Sequence, residues 1–176
     1  MNVTLIRHAE SEYNLLGLFA GQRDIPFSEN GIIQAKNLSK NISQIFEIYY
    51  CSPLIRARQT AVALFGKQKY IFDERIKERN FGEWQGKKKE DFSSELIAKM
   101  RLGEYDPPDA ETYSEFKTRI KEFVEDLRVK HNKDSNIAVI SHNGVIRLLS
   151  KEFGKIENYT KIPMPIENLD LIRLSI

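Results

Sequence analysis

The chain has a single cysteine, Cys51, among 176 residues, which excludes an internal disulfide framework and every multi-cysteine metal site. A reducing compartment is the expectation that follows. It also lacks a charge surplus, since 27 lysines and arginines face 25 aspartates and glutamates for a formal net charge of +2. No global field therefore points to nucleic acid or to a membrane surface. Nowhere do about 18 apolar residues run together, and the start, MNVTLIRHAE, lacks the basic region and long apolar stretch of a secretory signal. A cytoplasmic protein without a membrane partner is expected. No internal repeat or linker interrupts the pattern, and 176 residues suit one domain, 1–176, able to bury roughly 70% of its unfolded surface.

Three apolar, β-branched runs read as strands: residues 3–7, 48–51 (IYYC) and 137–140 (IAVI). A fourth, 169–174, alternates enough to close a sheet. Helical spacing follows each of the second and third runs. After Cys51, Ser52 is placed to cap a helix with Pro53 at its first position, and Leu54, Ala57, Ala61 and Leu64 share a face. Ile32, Ala35, Leu38, Ile42 and Ile45 predict one further helix; Tyr113, Phe116, Ile120, Phe123 and Leu127 predict another. Strands separated by helices give a three-layer α/β/α sandwich with a mostly parallel central sheet. Residues 86–110, lysine-rich and then DPPD, read as a helix and loop passing over one end of it.

The first strand poses the functional question, because its apolar run stops at Arg7-His8. In parallel α/β sheets, ligands sit beyond the carboxyl ends of the strands, where helix N-termini point. Arg7-His8, Ser52 to Arg56, and His142-Asn143 all fall at such ends. Two arginines and two imidazoles gathered there make a site for a small dianion with several oxygens, phosphate above all. An arginine in the first turn of a helix, as Arg56 would be, opposes the helix dipole, and an anion must compensate.

These residues resemble a known family. "RHAESEYN" is similar to the R-H-G-E-S/T-x-x-N signature of the histidine phosphatase superfamily, in the branch that includes cofactor-dependent phosphoglycerate mutase. "GQRDIPFSENGIIQA", "SPLIRARQTA", "IKERNFGEWQG", "AETYSEFKTRI" and "AVISHNGVIR" resemble five further family motifs in the family's order. The resemblance implies a phosphoglycerate mutase-like fold, with His8 as a nucleophile that becomes phosphohistidine. Arg7, Arg56 and His142 would hold the phosphoryl oxygens. Glu78 would be the general acid and base. Asn14 would bond a phosphoryl oxygen, and the backbone at Gly21, Gln22 and Asn143 would face the substrate. No metal and no cofactor are implied, the arginines supplying the positive charge.

Four positions depart from the family's pattern: Ala9, Asn143 and Ala110 stand where glycine is usual, and Phe27 where leucine is. A Cβ at Ala9 requires a negative φ. The change at Ala110 leaves Glu111 without an assigned role. Elsewhere the ordinary readings hold: His131 as a surface group complementing a helix dipole, Arg58 paired with a carboxylate, Cys51 as a small buried hydrophobe. Trp84 and Phe81 line the pocket mouth or, more often for such residues, belong to the core. Lys87 to Lys89 read as a solvated helix start, and Glu74 is a rival to Glu78.

The expected activity is metal-independent hydrolysis of a small phosphate ester, because the short span after Glu78 leaves the pocket open to water. The alternatives are a mutase or bisphosphatase of the same family, a protein-phosphohistidine phosphatase, and a non-catalytic phosphate-binding module. Similar short members of the family serve sugar and nucleotide phosphates, phosphoserine and ribazole phosphate. Residues 86–112 are where substrate choice is expected to rest.

Overall fold

The computed structural model describes residues 1–42, 44–153, 155–156 and 166–176. In chain order the elements are β1 (Asn2–Arg7), α1 (Glu12–Leu15), α2 (Glu29–Ser39), β2 (Ile48–Cys51), α3 (Ile55–Phe65), β3 (Tyr70–Phe72), α4 (Ser94–Leu102), α5 (Tyr113–Lys130), β4 (Asn136–Ser141), α6 (Asn143–Glu152), β5 (Lys155–Ile156) and β6 (Leu171–Ser175). The strands form one sheet in the order β3-β2-β4-β1-β6-β5. β3, β2, β4 and β1 run parallel, and β6 pairs antiparallel with both β1 and β5.

Both faces of this sheet are covered, as a parallel sheet requires. Val3, Leu5, Ile137 and Val139 point to one face and meet Phe116, Ile120, Phe123 and Leu127 of α5 with Val145 and Ile146 of α6. Ile6, Tyr49, Cys51 and Ile140 point to the other and meet Ala57, Ala61 and Leu64 of α3. Burial of each large side chain here stabilises by about 1.5–3 kcal/mol relative to exposure. The three-layer sandwich is therefore present, with α2 beside α3 on the second face.

Several boundaries differ from the sequence expectations, for local reasons. α2 stops at Ser39, where the N–H groups of Lys40 and Asn41 tighten onto the Leu38 carbonyl. Ile45 lies beyond it and is 83% exposed. Ser52 does not cap α3. That helix begins at Ile55, whose N–H donates to Asp24 Oδ1 at 2.6 Å, a cap supplied from a loop 31 residues upstream. The closing strand covers 171–175, and β3 and β5 went unrecognised because three and two residues carry no readable period. The excursion over 86–110 is realised as α4, which ends at Gly103 in the left-handed region. It packs on a separate aromatic cluster of Phe19, Trp84 and Met100 with Phe81, Phe92 and Tyr105. Among the described residues no helix is long and apolar enough to cross a membrane.

Candidate active site

Strand register brings the site together. Arg7 pairs with Ser141 across β1 and β4, so the next residues, His8 and His142, emerge side by side with ring centroids 5.1 Å apart. On the other flank of β4, Cys51 pairs with Ile140, so Ser52 leaves β2 beside His142, and Ser52 Oγ lies 2.8 Å from His142 Nε2. Arg56 follows in the first turn of α3 and is 1% exposed. The segment after β1 is tied to α3 by Thr60, whose hydroxyl accepts from Ala9 N at 3.0 Å and donates to the Arg56 carbonyl at 2.7 Å. Ala9 is not among the residues of positive φ, so its Cβ is accommodated as anticipated.

The imidazoles are held neutral. His8 Nδ1 is 2.7 Å from the Ala9 carbonyl, which can only accept; the ring proton therefore sits on Nδ1 and the lone pair on Nε2. Burial, followed by the positive charges of Arg56 and Arg7, holds the His8 imidazolium well below the usual histidine range. His142 is lowered in the same direction, first by burial and then by Arg56 and His8. Burial also brings the Arg56 guanidinium down to about 10, against the attraction of Glu78 and Asp24.

The arginines are anchored by one side of the guanidinium. Arg56 donates to the Arg23 carbonyl at 2.8 Å and the Gly21 carbonyl at 2.7 Å, and Arg7 donates to the Ile166 carbonyl. The Nε atoms of both, with His142 Nδ1, have no hydrogen-bond partner. These are three of the five buried side-chain polar atoms without one among the described residues. An unpaired buried donor costs about 1–3 kcal/mol, so three in one place are a site prepared for acceptor oxygens rather than chance.

Glu78, 8% exposed, lies across the N-terminus of α6. Its Oε2 accepts from Gly144 N at 3.1 Å and its Oε1 from Arg79 N at 2.9 Å. A Cβ on residue 144 would overlap Oε1, so the approach needs glycine there. The Glu78 carbonyl accepts from Gln22 Nε2 at 3.0 Å and from Arg119 Nη2 at 3.1 Å, and Arg119 is itself held by Glu111. Glu111, left without a role from the sequence, thus fixes the backbone that carries Glu78. Glu74 is exposed and paired with Lys77.

A cavity of about 340 Å³ opens onto this cluster, lined there by Arg7, His8, Asn14, Gly21, Glu78 and Asn143. His142 and Arg56 are buried beside His8 and Gly21. Asn14 Oδ1 accepts from Ser11 N at 3.1 Å and from Asn168 Nδ2 at 3.4 Å, which leaves its amide N–H groups to the cavity. Asn143 Nδ2 donates to the Ile166 carbonyl at 3.1 Å. Gln22 departs from expectation. Its N–H donates to Gln85 Oε1 at 2.7 Å, and Gln22 is not among the residues that line the cavity. Among the described residues no group of three or more His, Cys, Asp or Glu side chains is placed to hold a metal ion.

Three peripheral readings need correction. His131 is no dipole partner: burial and Lys130 lower its charged form, and Nε2 meets the Tyr50 hydroxyl at 2.9 Å. Arg58 stacks over the Phe72 ring at 5.9 Å instead of pairing with a carboxylate. Lys89 is not solvated with Lys87 and Lys88 but turns into the cavity. Phe81 lines the cavity and Trp84 belongs to the core beneath it. Cys51 is buried, its thiol pushed up to about 12. Two residues of the site were given no role from the sequence: Thr60, although it lies within SPLIRARQTA, and Asn168, whose Nδ2 donates to the His8 carbonyl at 2.7 Å and which sits in no motif.

Known proteins resemble this chain. The adenosylcobalamin/alpha-ribazole phosphatase of Salmonella typhimurium is 32% identical over 85% of this chain and 77% of its own length. The fructose-2,6-bisphosphatase TIGAR of Xenopus tropicalis is 30% identical over 92% of this chain; the match spans only 63% of that relative. The crystal structure of phosphoglycerate mutase from Thermus thermophilus superposes with a TM-score of 0.71 at 27% identity, covering 85% of this chain and 82% of that one. The family model for the histidine phosphatase superfamily (branch 1) matches residues 3–176, and the chain belongs to that superfamily.

Proposed function

We propose that this protein is a phosphomonoesterase for small phosphorylated metabolites, working through a phosphohistidine on His8 and needing no metal. The observation that carries the reading is the set of unpartnered donors, Arg7 Nε, Arg56 Nε and His142 Nδ1, around an imidazole whose Nε2 lone pair is free. In the first step His8 Nε2 attacks phosphorus, the P–O bond to the alcohol breaks, and Glu78 gives the leaving oxygen a proton. The Ala9 carbonyl holds the Nδ1 proton, so the ring becomes a cation as the N–P bond forms. Arg7, Arg56 and His142 hold the three equatorial oxygens, and in this water-poor place they stabilise the transition state more than they would in bulk solvent. In the second step Glu78 takes a proton from water, water oxygen attacks phosphorus, and the N–P bond breaks to release phosphate.

The phosphatase names of the relatives from Salmonella and Xenopus support hydrolysis over isomerisation. The test is phosphate release from p-nitrophenyl phosphate in excess EDTA. Turnover is expected to be undiminished by the chelator, and activity that appears only on adding a divalent cation would contradict the reading.

A further inference from the structure

Ser52, expected to cap α3, leaves that task to Asp24, and its hydroxyl meets His142 instead. The backbone fixes where it stands. Ser52 N donates to the Ile140 carbonyl at 2.9 Å, which carries the pairing of β2 with β4 one residue further, and both Ser52 and His142 are fully buried. Ser52 is not among the residues that line the cavity, so any influence it has on a bound phosphoryl group passes through the imidazole.

Burial, followed by the positive charges of Arg56 and His8, keeps His142 neutral, and a neutral imidazole carries its one proton on either ring nitrogen. Which nitrogen holds it is decided by what the other one meets. A serine hydroxyl has one proton to give and two lone pairs. Leu54 N donates to Ser52 Oγ at 3.4 Å, which uses one lone pair, and among the described residues His142 Nε2 is the one acceptor that the hydroxyl proton reaches. A proton on Nε2 would crowd Oγ with donors and leave the hydroxyl proton without an acceptor, which is costly away from water. A proton on Nδ1 satisfies both groups, since Ser52 then donates to Nε2. Nδ1, buried and without a hydrogen-bond partner, is left as a donor.

Resting on the phosphatase reading above, we infer that Ser52 is a positioning residue: by donating to Nε2 it keeps the His142 proton on Nδ1, where it serves an oxygen of the phosphoryl group. Without that hydroxyl the proton is free to move to Nε2, and Nδ1 then turns a lone pair towards an anionic oxygen that it should be stabilising.

The experiment reads the tautomer directly, from two-bond 1H–15N spectra of the imidazole nitrogens in the full chain at neutral pH, with the His142 signals assigned by their loss in His142→Gln. Wild type is expected to show a protonated Nδ1 and a bare Nε2. In Ser52→Ala a substantial share is expected to move to the Nε2–H form, whereas Ser52→Thr, which keeps a hydroxyl, should hold the wild-type tautomer. The His8 ring, tied to the Ala9 carbonyl, should keep its own tautomer in each protein and so reports an intact cup. Inorganic phosphate is expected to bind Ser52→Ala about tenfold more weakly, equivalent to about 1.4 kcal/mol, with kcat/KM for p-nitrophenyl phosphate lowered at least as far and both restored in Ser52→Thr. A wild-type His142 protonated on Nε2 overturns the inference whether or not the variants fold. So does a tautomer, or a phosphate affinity, that does not change in Ser52→Ala. The expected tautomer shift and weaker phosphate binding, with no ester hydrolysed by the wild type, would sink the proposed activity while sustaining the role of Ser52.

Discussion

The cup around His8 and the wall built by residues 81–105 are held by different forces. In the cup, every functional side chain is tied to a neighbour by hydrogen bonds: His8 to the Ala9 carbonyl, His142 to Ser52, Arg56 to the Gly21 and Arg23 carbonyls, Glu78 to the N-terminus of α6. These residues follow from the ends of paired strands, so their spacing is as rigid as the register. The wall rests on stacked aromatics, Trp84 on Phe92 at 4.2 Å between centroids and Phe19 on Trp84 at 5.2 Å, in a cluster separate from both sheet cores. The comparison separates two layers: the proposed chemistry is built onto the ends of the sheet, while the aromatic wall, where we propose that the choice of ester rests, can be rebuilt without disturbing it.

That division can be broken from either side. Replacing His8 with alanine removes the proposed nucleophile and is expected to lower kcat by more than about a thousandfold, measured as phosphate release, with the fold retained by circular dichroism. A Gly144→Ala change adds one methyl group that displaces the Glu78 carboxylate; a shift of about 1 Å in such a group costs about a hundredfold in rate, so kcat should fall by that order while thermal stability changes little. On the wall, Trp84→Ala leaves the cup intact and creates a cavity beneath it. KM for an ester with a bulky body is expected to rise about tenfold with kcat near wild type, since loss of contacts made equally in ground and transition states appears in KM alone.

The smallest expected effect is on stability. Both buried imidazoles are lowered relative to free histidine, so as pH falls through the unfolded value the unfolded chain takes up protons that the native cup refuses. Stability contributed by this pair is thus full above about pH 6.5 and declines on acidification, by at most about 1.4 kcal/mol per pH unit for each imidazole. Denaturant midpoints between neutral pH and pH 5 should fall, and the slope should flatten in His142→Gln.

What could be read from the sequence follows the same line. Arg7-His8 and His142 were legible because a buried strand that ends in polar groups is a strong local signal, and topology then gathers strand ends at one edge. Arg56 and Glu78 were legible through motif spacing, not periodicity. Three of the misreadings are cases where a distant partner decides: Ser52 meets His142 instead of capping α3, Gln22 answers to Gln85, and His131 to Tyr50. Lys89 looked like part of a solvated run, and only the fold reveals that its two neighbours point outward while it points in. Extending α2 to Ile45 failed for another reason, since apolar spacing continued past the turn that ends the helix.

The central claim is that phosphorus passes through His8. Alkaline quenching of the enzyme during turnover of an ester labelled in its phosphoryl group tests it most directly. A protein-bound phosphoryl group that is stable to base, lost in mild acid, located on His8 and absent from His8→Ala is the expected result. Full turnover with no protein-bound label, or the same label persisting in His8→Ala, would contradict it.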